Sequence, residues 1–457
     1  MLLAAAGAWL VLERLLVPSV RFILRRRVNR VLDEVNKRLQ IHVQPFKLTK
    51  RKVLIDRLMY DPQVMAAAEA FGAEEKMPRE LVMAKVERYA KEIVPSFNAY
   101  LYFRLGYWLA RQFARTLYRV RLGYADEPAL ERVEPDSTIV FVMNHRSNMD
   151  YVLVAYLVAE RAALSYAVGE WARIFPLESL IRSMGAYFVR RRSRNALYRR
   201  VLARYVAMAT REGVTQAVYP EGGLSRDGVL APPKLGLFDY MLRDFDPAGE
   251  RDLVFIPVGL NYDRVLEDRT LILDTDSSAE RKTGVAAVAT TLGFLWRSFR
   301  LWISGHWFRF GYACVQFGPP VSAREYLGEA RVDLRTLDRG ARFAEVEKLA
   351  ALLMKAVGEV VPIVPVALVA DVLVAEPERR WTKLELKAEV QARIAELAER
   401  GAQVYIPRDD DDYTIDVGLR MLTLRHLVAE EEGILSAAPD ELSLLRYYAN
   451  SIGHWRA

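Results

Sequence analysis

STIVFVMNHRSNMD, residues 137–150, decides the fold. Its first half is an unbroken apolar, β-branched run, the pattern of a strand covered on both faces. The second half reads as a turn into a helix: Ser147 is a good N-cap, and Asp150 then falls at the third helical position of a capping box. A strand ending at Asn144 delivers His145 to its carboxyl edge, where open α/β sheets place their ligands. On one continuous helix, residues five apart would stand about 140° apart, because each residue turns ~100°. Only a strand-to-helix turn brings His145 and Asp150 together. There the Asp150 carboxylate is suited to orient the imidazole and to stabilise its cation, a role that can coexist with helix capping.

Outward from this segment the same texture repeats. ALSYAVG (163–169), GAYFV (185–189), TQAVYP (215–220), DLVFIPVGL (252–260) and YACVQFG (312–318) are short apolar runs separated by helical patterns. Strands alternating with helices predict an α/β fold with a mostly parallel sheet flanked by helices. The clearest crossover is Asn195 to Glu212, with Leu197, Val201, Leu202, Tyr205, Val206 and Ala209 on one stripe. Three regions follow: a helical, membrane-interfacial N-terminal region (1–123), an α/β catalytic domain (124–330) and a mainly helical C-terminal region (331–457). In the first, Val28, Leu32, Val35 and Leu39 keep helical spacing, a second run starts near Pro78, and Pro95 should kink or split it. The last holds one apolar run, VVPIVPVALVADVLV at 360–374, and an acidic stretch, Asp409 to Asp412, expected to be a solvated loop rather than a metal site.

The 457 residues are 52% hydrophobic and 27% charged, with a net charge of +7, which fits a folded protein attracted to anionic partners. A single cysteine, Cys314, excludes an intrachain disulfide and a cysteine zinc cluster, so a reducing compartment is expected. The apolar N-terminal run is broken by Glu13 and Arg14, and no uninterrupted apolar stretch of about 18 residues occurs elsewhere, so membrane contact should be interfacial. Three segments suit it: the N-terminus, the basic and aromatic stretch Tyr100 to Arg121, and residues 290–312 with Trp296, Trp302 and Trp307 among Arg297, Arg300 and Arg309. The last also reads as an aromatic core helix with snorkelling arginines.

Further segments can carry chemistry. GAYFVRRR (185–192) ends a strand in Arg190, Arg191 and Arg192, a cationic patch suited to phosphate, although not all three can point inward. In VYPEGGLSRDG (218–228), Glu221, Gly222 and Gly223 form an open loop whose free amides, with Arg226 nearby, suit an anion or a developing oxyanion. Glu221 either binds acceptor hydroxyls or braces the loop. Lys234 in PPKLG (232–236) adds a second cation. FIPVGLNYD (255–263) should end a strand at Pro257 and Val258 and supply pocket wall.

NHRSNMD (144–150), GAYFVRRR, YPEGGLSR (219–226) and FIPVGLNYD resemble, in order, the four motif blocks of the glycerolipid acyltransferase family, particularly its glycerol-3-phosphate and dihydroxyacetone-phosphate branch. The resemblance covers about 120–330, with weaker matches at YACVQFGPPVSAREYL (312–327) and LLRYYANSIGHW (444–455). It implies the glycerolipid acyltransferase fold, with His145 as general base, Asp150 as its partner, and substrate binding by Arg146, Ser147, Arg190, Arg192, Glu221, Gly222, Gly223, Ser225, Arg226 and Lys234. It further implies acyl transfer from acyl-CoA or acyl carrier protein to the sn-1 hydroxyl of glycerol 3-phosphate, without metal or other cofactor. Membrane phospholipids, rather than nucleic acid, would be the partners, with the chain peripheral or monotopic on the cytoplasmic face of the inner membrane. Leu224 and Asn148 stand where the family often has a basic residue and a second histidine, which leaves dihydroxyacetone phosphate and lysophosphatidic acid as alternative acceptors. A serine hydrolase lacks support because there is no G-x-S-x-G. A non-catalytic protein that binds anionic lipid or nucleic acid accounts for the charge but not for the clustering of basic residues at strand exits.

Overall fold

The computed structural model describes residues 44–124, 126–158, 163–169, 177–190, 193–273 and 310–456. The expected N-terminal membrane helix, Arg191, Arg192 and nearly all of the 290–312 segment lie outside them.

The N-terminal part supplies helices α1 (Arg51–Met59), α2 (Pro62–Glu74), α3 (Arg79–Ile93) and α4 (Tyr107–Leu117). Helix α3 starts after Pro78 and stops two residues before Pro95, as the break at that proline predicts, and a π-turn over Leu101–Gly106 leads into α4. Seven strands then form one sheet: β1 (Arg119–Tyr124), β2 (Thr138–Met143), β3 (Ser165–Gly169), β4 (Tyr187–Val189), β5 (Gln216–Val218), β6 (Leu253–Tyr262) and β7 (Tyr312–Phe317). Their order is β1-β7-β6-β2-β5-β3-β4, with a two-residue β8 (Val321–Ser322) added on β6. All pairs are parallel except β6 with β7 and β6 with β8.

Two expectations need correcting. The basic stretch ending at Arg121 does not stay helical: its last residues enter β1, which pairs with β7, so the expected boundary at 123/124 falls inside a strand. Its arginines lie on the exposed side of an edge strand, where alternation leaves one face to water. Nor does β6 end at Val258. It runs to Tyr262, and Pro257 sits mid-strand where the partner changes from β7 to β8, a position that needs no amide donor and leaves its carbonyl to accept from Gly318 at 2.8 Å.

Period-two alternation divides β2 between two cores. Val140 and Val142 face the N-terminal helices and the crossover helix α6 (Ala196–Arg211), whose predicted stripe is buried throughout. Helix α5 (Met149–Val158) follows β2 after a short turn. Ile139, Phe141 and Met143 face the other way, into a cluster shared with α5 and the C-terminal region. That region contains α7 (Arg339–Glu359), α8 (Pro365–Ala375), α9 (Lys383–Glu399), α10 (Asp411–Thr423) and α11 (Leu442–Ala449). The apolar run at 360–374 becomes α8, in which every residue from Pro365 to Leu373 is buried. A three-stranded antiparallel sheet, β9 (Trp381–Thr382), β10 (Val428–Glu431) and β11 (Ile434–Ala437), was not expected among these helices. Within the acidic stretch, Asp410 caps α10 by accepting from the Tyr413 amide. Among the described residues no cluster of His, Cys, Asp and Glu is arranged to hold a metal ion, and no helix is long and apolar enough to cross a membrane.

Candidate active site

β2 ends at Met143, and Asn144 extends its pairing with β6 through the side chain, which donates to the Leu260 carbonyl and accepts from the Leu260 amide, both at 2.8 Å. The backbone then turns through His145 to Asn148 and enters α5. Ser147 caps that helix, its hydroxyl accepting from the Met149 amide at 3.1 Å, while the Asp150 carboxylate reaches back to the Ser147 amide at 3.1 Å.

The same carboxylate oxygen, Oδ2, accepts from the Arg146 amide at 2.7 Å and faces His145 Nδ1 at 2.9 Å. Capping and imidazole orientation therefore fall on one atom. Asp150 is 0% exposed and His145 1%. The second oxygen, Oδ1, accepts from the Tyr262 hydroxyl at 2.5 Å. The imidazole lies between rings, stacked on Tyr219 at 4.2 Å and edge-on to Tyr151 at 5.3 Å. With the Nδ1 proton directed at Asp150, Nε2 carries the lone pair and makes no hydrogen bond to a described residue.

The glycine loop follows β5. Glu221 Oε1 accepts from the His145 amide at 2.7 Å and Oε2 from the Ala231 amide at 3.0 Å, so this carboxylate braces the loop. Burial raises its pKa, opposed by those two hydrogen bonds. The Gly222 amide is not free, because it donates to the Tyr219 carbonyl at 3.0 Å. Gly222 itself has φ +68, and a Cβ there would stand 2.6 Å from Lys234 Cδ. Lys234 therefore lies across the glycine, exposed and without an ion pair among the described residues. The Gly223 amide makes no hydrogen bond to a described residue and remains the candidate oxyanion donor of the loop. Ser225 serves the turn: its amide donates to the His145 carbonyl, and its hydroxyl donates to the Val229 carbonyl and accepts from the Gly228 amide. Arg226 is exposed with no partner among the described residues.

Of the two arginines expected to bind substrate here, only one departs from that expectation. Arg190 is committed to Glu92 of α3 by two bonds, at 2.7 and 2.6 Å, so its fork is not open to phosphate. Arg146, adjacent to the histidine, is 2% exposed and binds the Gly228 carbonyl through Nη1, yet its Nε and Nη2 have no hydrogen-bond partner among the described residues. Its guanidinium lies over the Tyr447 ring at 5.2 Å. Two unpaired donors on a buried guanidinium suit an anion.

Known proteins match both the α/β part of the chain and its C-terminal part. An acyltransferase family model matches residues 128–261, and a model of the glycerol-3-phosphate acyltransferase C-terminal region matches 303–457. The chain thus carries an acyltransferase domain followed by a glycerol-3-phosphate acyltransferase C-terminal region. Among its relatives are glycerol-3-phosphate acyltransferases of Pseudomonas fluorescens Pf-5, 26% identical over 450 residues, and of Pseudomonas putida KT2440, 26% identical over 423. These matches cover 94% and 89% of this chain but 51% and 49% of the relatives, so the chain spans about half the length of the curated relatives it matches. The crystal structure of a 1-acyl-sn-glycerophosphate acyltransferase from Thermotoga maritima aligns over 55% of this chain and 80% of its own, with 18% identity and a TM-score of 0.31.

Two residues at the site carry no motif of their own. Tyr262 was assigned to pocket wall, yet its hydroxyl holds the carboxylate next to the histidine. Glu267 accepts from the Ser147 hydroxyl at 2.7 Å and from the Asn148 side chain at 3.0 Å, pinning the turn from outside. The buried run FIPVGLNY, continuing apolar to a final tyrosine, was the only available signal for Tyr262.

Proposed function

We propose that this chain transfers an acyl group from a thioester to the sn-1 hydroxyl of glycerol 3-phosphate, giving lysophosphatidic acid. The observation that carries the reading is the buried His145–Asp150 pair, whose Nε2 is unengaged by any described residue. The thioester carbonyl is already activated, so no enzyme nucleophile is needed. His145 Nε2 takes the proton as the acceptor oxygen adds to the carbonyl, and Asp150 stabilises the imidazolium. The Gly223 amide faces the developing oxyanion. Collapse of the tetrahedral intermediate breaks the carbon–sulfur bond, and the proton passes to the departing thiolate. Arg146, Arg226 and Lys234 hold the acceptor phosphate, while Glu221 and Ser225 keep His145 and the loop in register. Dihydroxyacetone phosphate and lysophosphatidic acid, which also join a hydroxyl to a phosphate, are the competing acceptors.

The reaction product is a lipid, and we place the chain at the cytoplasmic face of the inner membrane as a peripheral protein. Supporting this, Tyr100, Leu105, Trp108 and Leu109 are exposed along the π-turn and α4. Loss of binding in liposome flotation is expected for Trp108→Glu; undiminished binding would remove this face from the membrane contact.

The activity test is thiol release from an acyl thioester with and without glycerol 3-phosphate, repeated with the rival acceptors. Acceptor-dependent release should fall by about 10²- to 10⁴-fold in His145→Ala. Unchanged release in that variant would overturn the assignment of the base.

A further inference from the structure

We propose that the arginine-lined groove beside β1 binds the phosphorylated nucleotide end of an acyl-coenzyme A donor; this rests on the acyl-transfer reading above and names the class of donor. The groove has a volume of about 740 Å³ and is walled in part by Arg115, Tyr118, Arg119, Arg121, Tyr312 and Arg408. Among the described residues no carboxylate lines it, and none of its four arginines makes an ion pair with a described residue. Instead they engage phenols: Arg119 donates to the Tyr312 and Tyr413 hydroxyls, Arg121 donates to Tyr405, and Arg408 stacks over Tyr413 at 4.2 Å. Buried Asp263 feels the charge of Arg119, but its oxygens are occupied by the backbone amides of Tyr312 and Val366. Arg408 also holds φ +64, a left-handed backbone that a non-glycine residue adopts at a cost, here displaying a guanidinium at the groove.

Topology puts this groove on the catalytic rim. β7 runs antiparallel to β6, and β1 runs parallel to β7, so the two strands begin where β2 and β6 end. Arg119 and Tyr312, paired at the start of β1 and β7, therefore share an edge with His145 and Tyr262. β1 is the third strand over from β2, a lateral distance of about 14 Å at ~4.8 Å per strand. The Tyr118 ring closes the gap, lining the groove on one side and touching Tyr262 at 5.4 Å on the other. The pantetheine arm of coenzyme A, equivalent to four or five extended residues or roughly 16 Å, spans that distance. Coenzyme A presents three phosphates and an adenine ring, and the groove presents four guanidinium groups and phenol rings, which match phosphate by forked hydrogen bonds and a base by stacking. A concave site of this composition fits a nucleotide better than the broad face of a carrier protein or a bilayer.

The test uses the full chain carrying Arg119→Gln with Arg121→Gln, and separately Arg408→Gln, all exposed positions outside the His145 site. KM for an acyl-coenzyme A should rise by about tenfold or more in the double variant, with kcat kept within a factor of two, because two charged donors to phosphate are removed. KM for the matching acyl-pantetheine, which lacks the nucleotide, should not change. Calorimetric titration with adenosine 3′,5′-bisphosphate alone should show binding to the wild type and weakened binding to the variants, a readout independent of turnover. If no donor supports acyl transfer, the functional reading fails while the nucleotide titration still judges the groove. Unaltered nucleotide binding and KM, an equal loss with acyl-pantetheine, or a defect confined to acyl carrier protein or to anionic vesicles would each overturn the proposal.

Discussion

The Tyr262 hydroxyl donates to Asp150 Oδ1 at 2.5 Å while Asp150 Oδ2 faces His145, so the residue ending β6 fixes the carboxylate that fixes the imidazole. Tyr262 touches no reacting atom in this arrangement and is a positioning residue. Tyr262→Phe keeps the ring packing against Tyr118 and removes one hydrogen bond to a charged group, worth about 1.5–3 kcal/mol. We expect kcat to fall about tenfold, with KM for glycerol 3-phosphate unchanged. Steady-state kinetics decide it: a shift in KM alone would assign Tyr262 to acceptor binding.

Asp150 has a second burden, since Oδ2 also takes the amides of Arg146 and Ser147. Asp150→Asn can keep an acceptor oxygen toward the backbone, but its amide group cannot stabilise the imidazolium. Activity should drop by about 10³- to 10⁴-fold, whereas unfolding free energy should drop by about 1–3 kcal/mol. Paired kinetics and denaturation measure the two. Equal losses, each converted to free energy, would reduce Asp150 to a helix cap.

Gly222→Ala forces a side chain onto a left-handed backbone and into Lys234. The backbone strain costs about 1 kcal/mol, and the flexible lysine, rather than the loop, gives way. KM for glycerol 3-phosphate should therefore rise several-fold while kcat holds. A normal KM would take Lys234 out of acceptor binding.

Asp263 supplies a pH signature in stability. Burial raises its pKa to about 7 despite the amides of Tyr312 and Val366. Between about pH 4 and 7 the folded chain retains a proton that the unfolded chain has released, so stability should fall as pH rises through this window, by an amount on the order of 4 kcal/mol. Thermal unfolding from pH 5 to 8 reads this slope directly. Asp263→Asn should flatten it, even though the amide fits the two donors less well; an unchanged slope would exonerate Asp263.

What the sequence revealed follows from how local each signal is. The β2 run, the Ser147 cap and the His145–Asp150 spacing lie within 14 consecutive residues, and short-range chemistry determines all three. The α6 stripe was legible for the same reason. Arg190 was misjudged because Glu92, which occupies it, sits 98 residues away on α3. Glu221 left two roles open because its partners are backbone amides, which every residue has. β1 was hidden by its own arginines: an edge strand tolerates charge on its open side, so the strand pattern is diluted there. The reversal of β7, which brings Arg119 to the catalytic rim, left no mark in the local sequence, since direction depends on the long connection from Tyr262 to Tyr312.

Helix α8 has an implication for how this protein can change. Its residues fill the space between one face of the main sheet and helices α9 to α11, and the same apolar cluster continues from Ile139 to Ile452. The segments matched by the two family models are thus not interchangeable modules. Exchanging either for the counterpart from a distant homologue would juxtapose mismatched halves of a single interior, and viable chimaeras should need their crossover points placed outside α8 and the β2–β6 pair together.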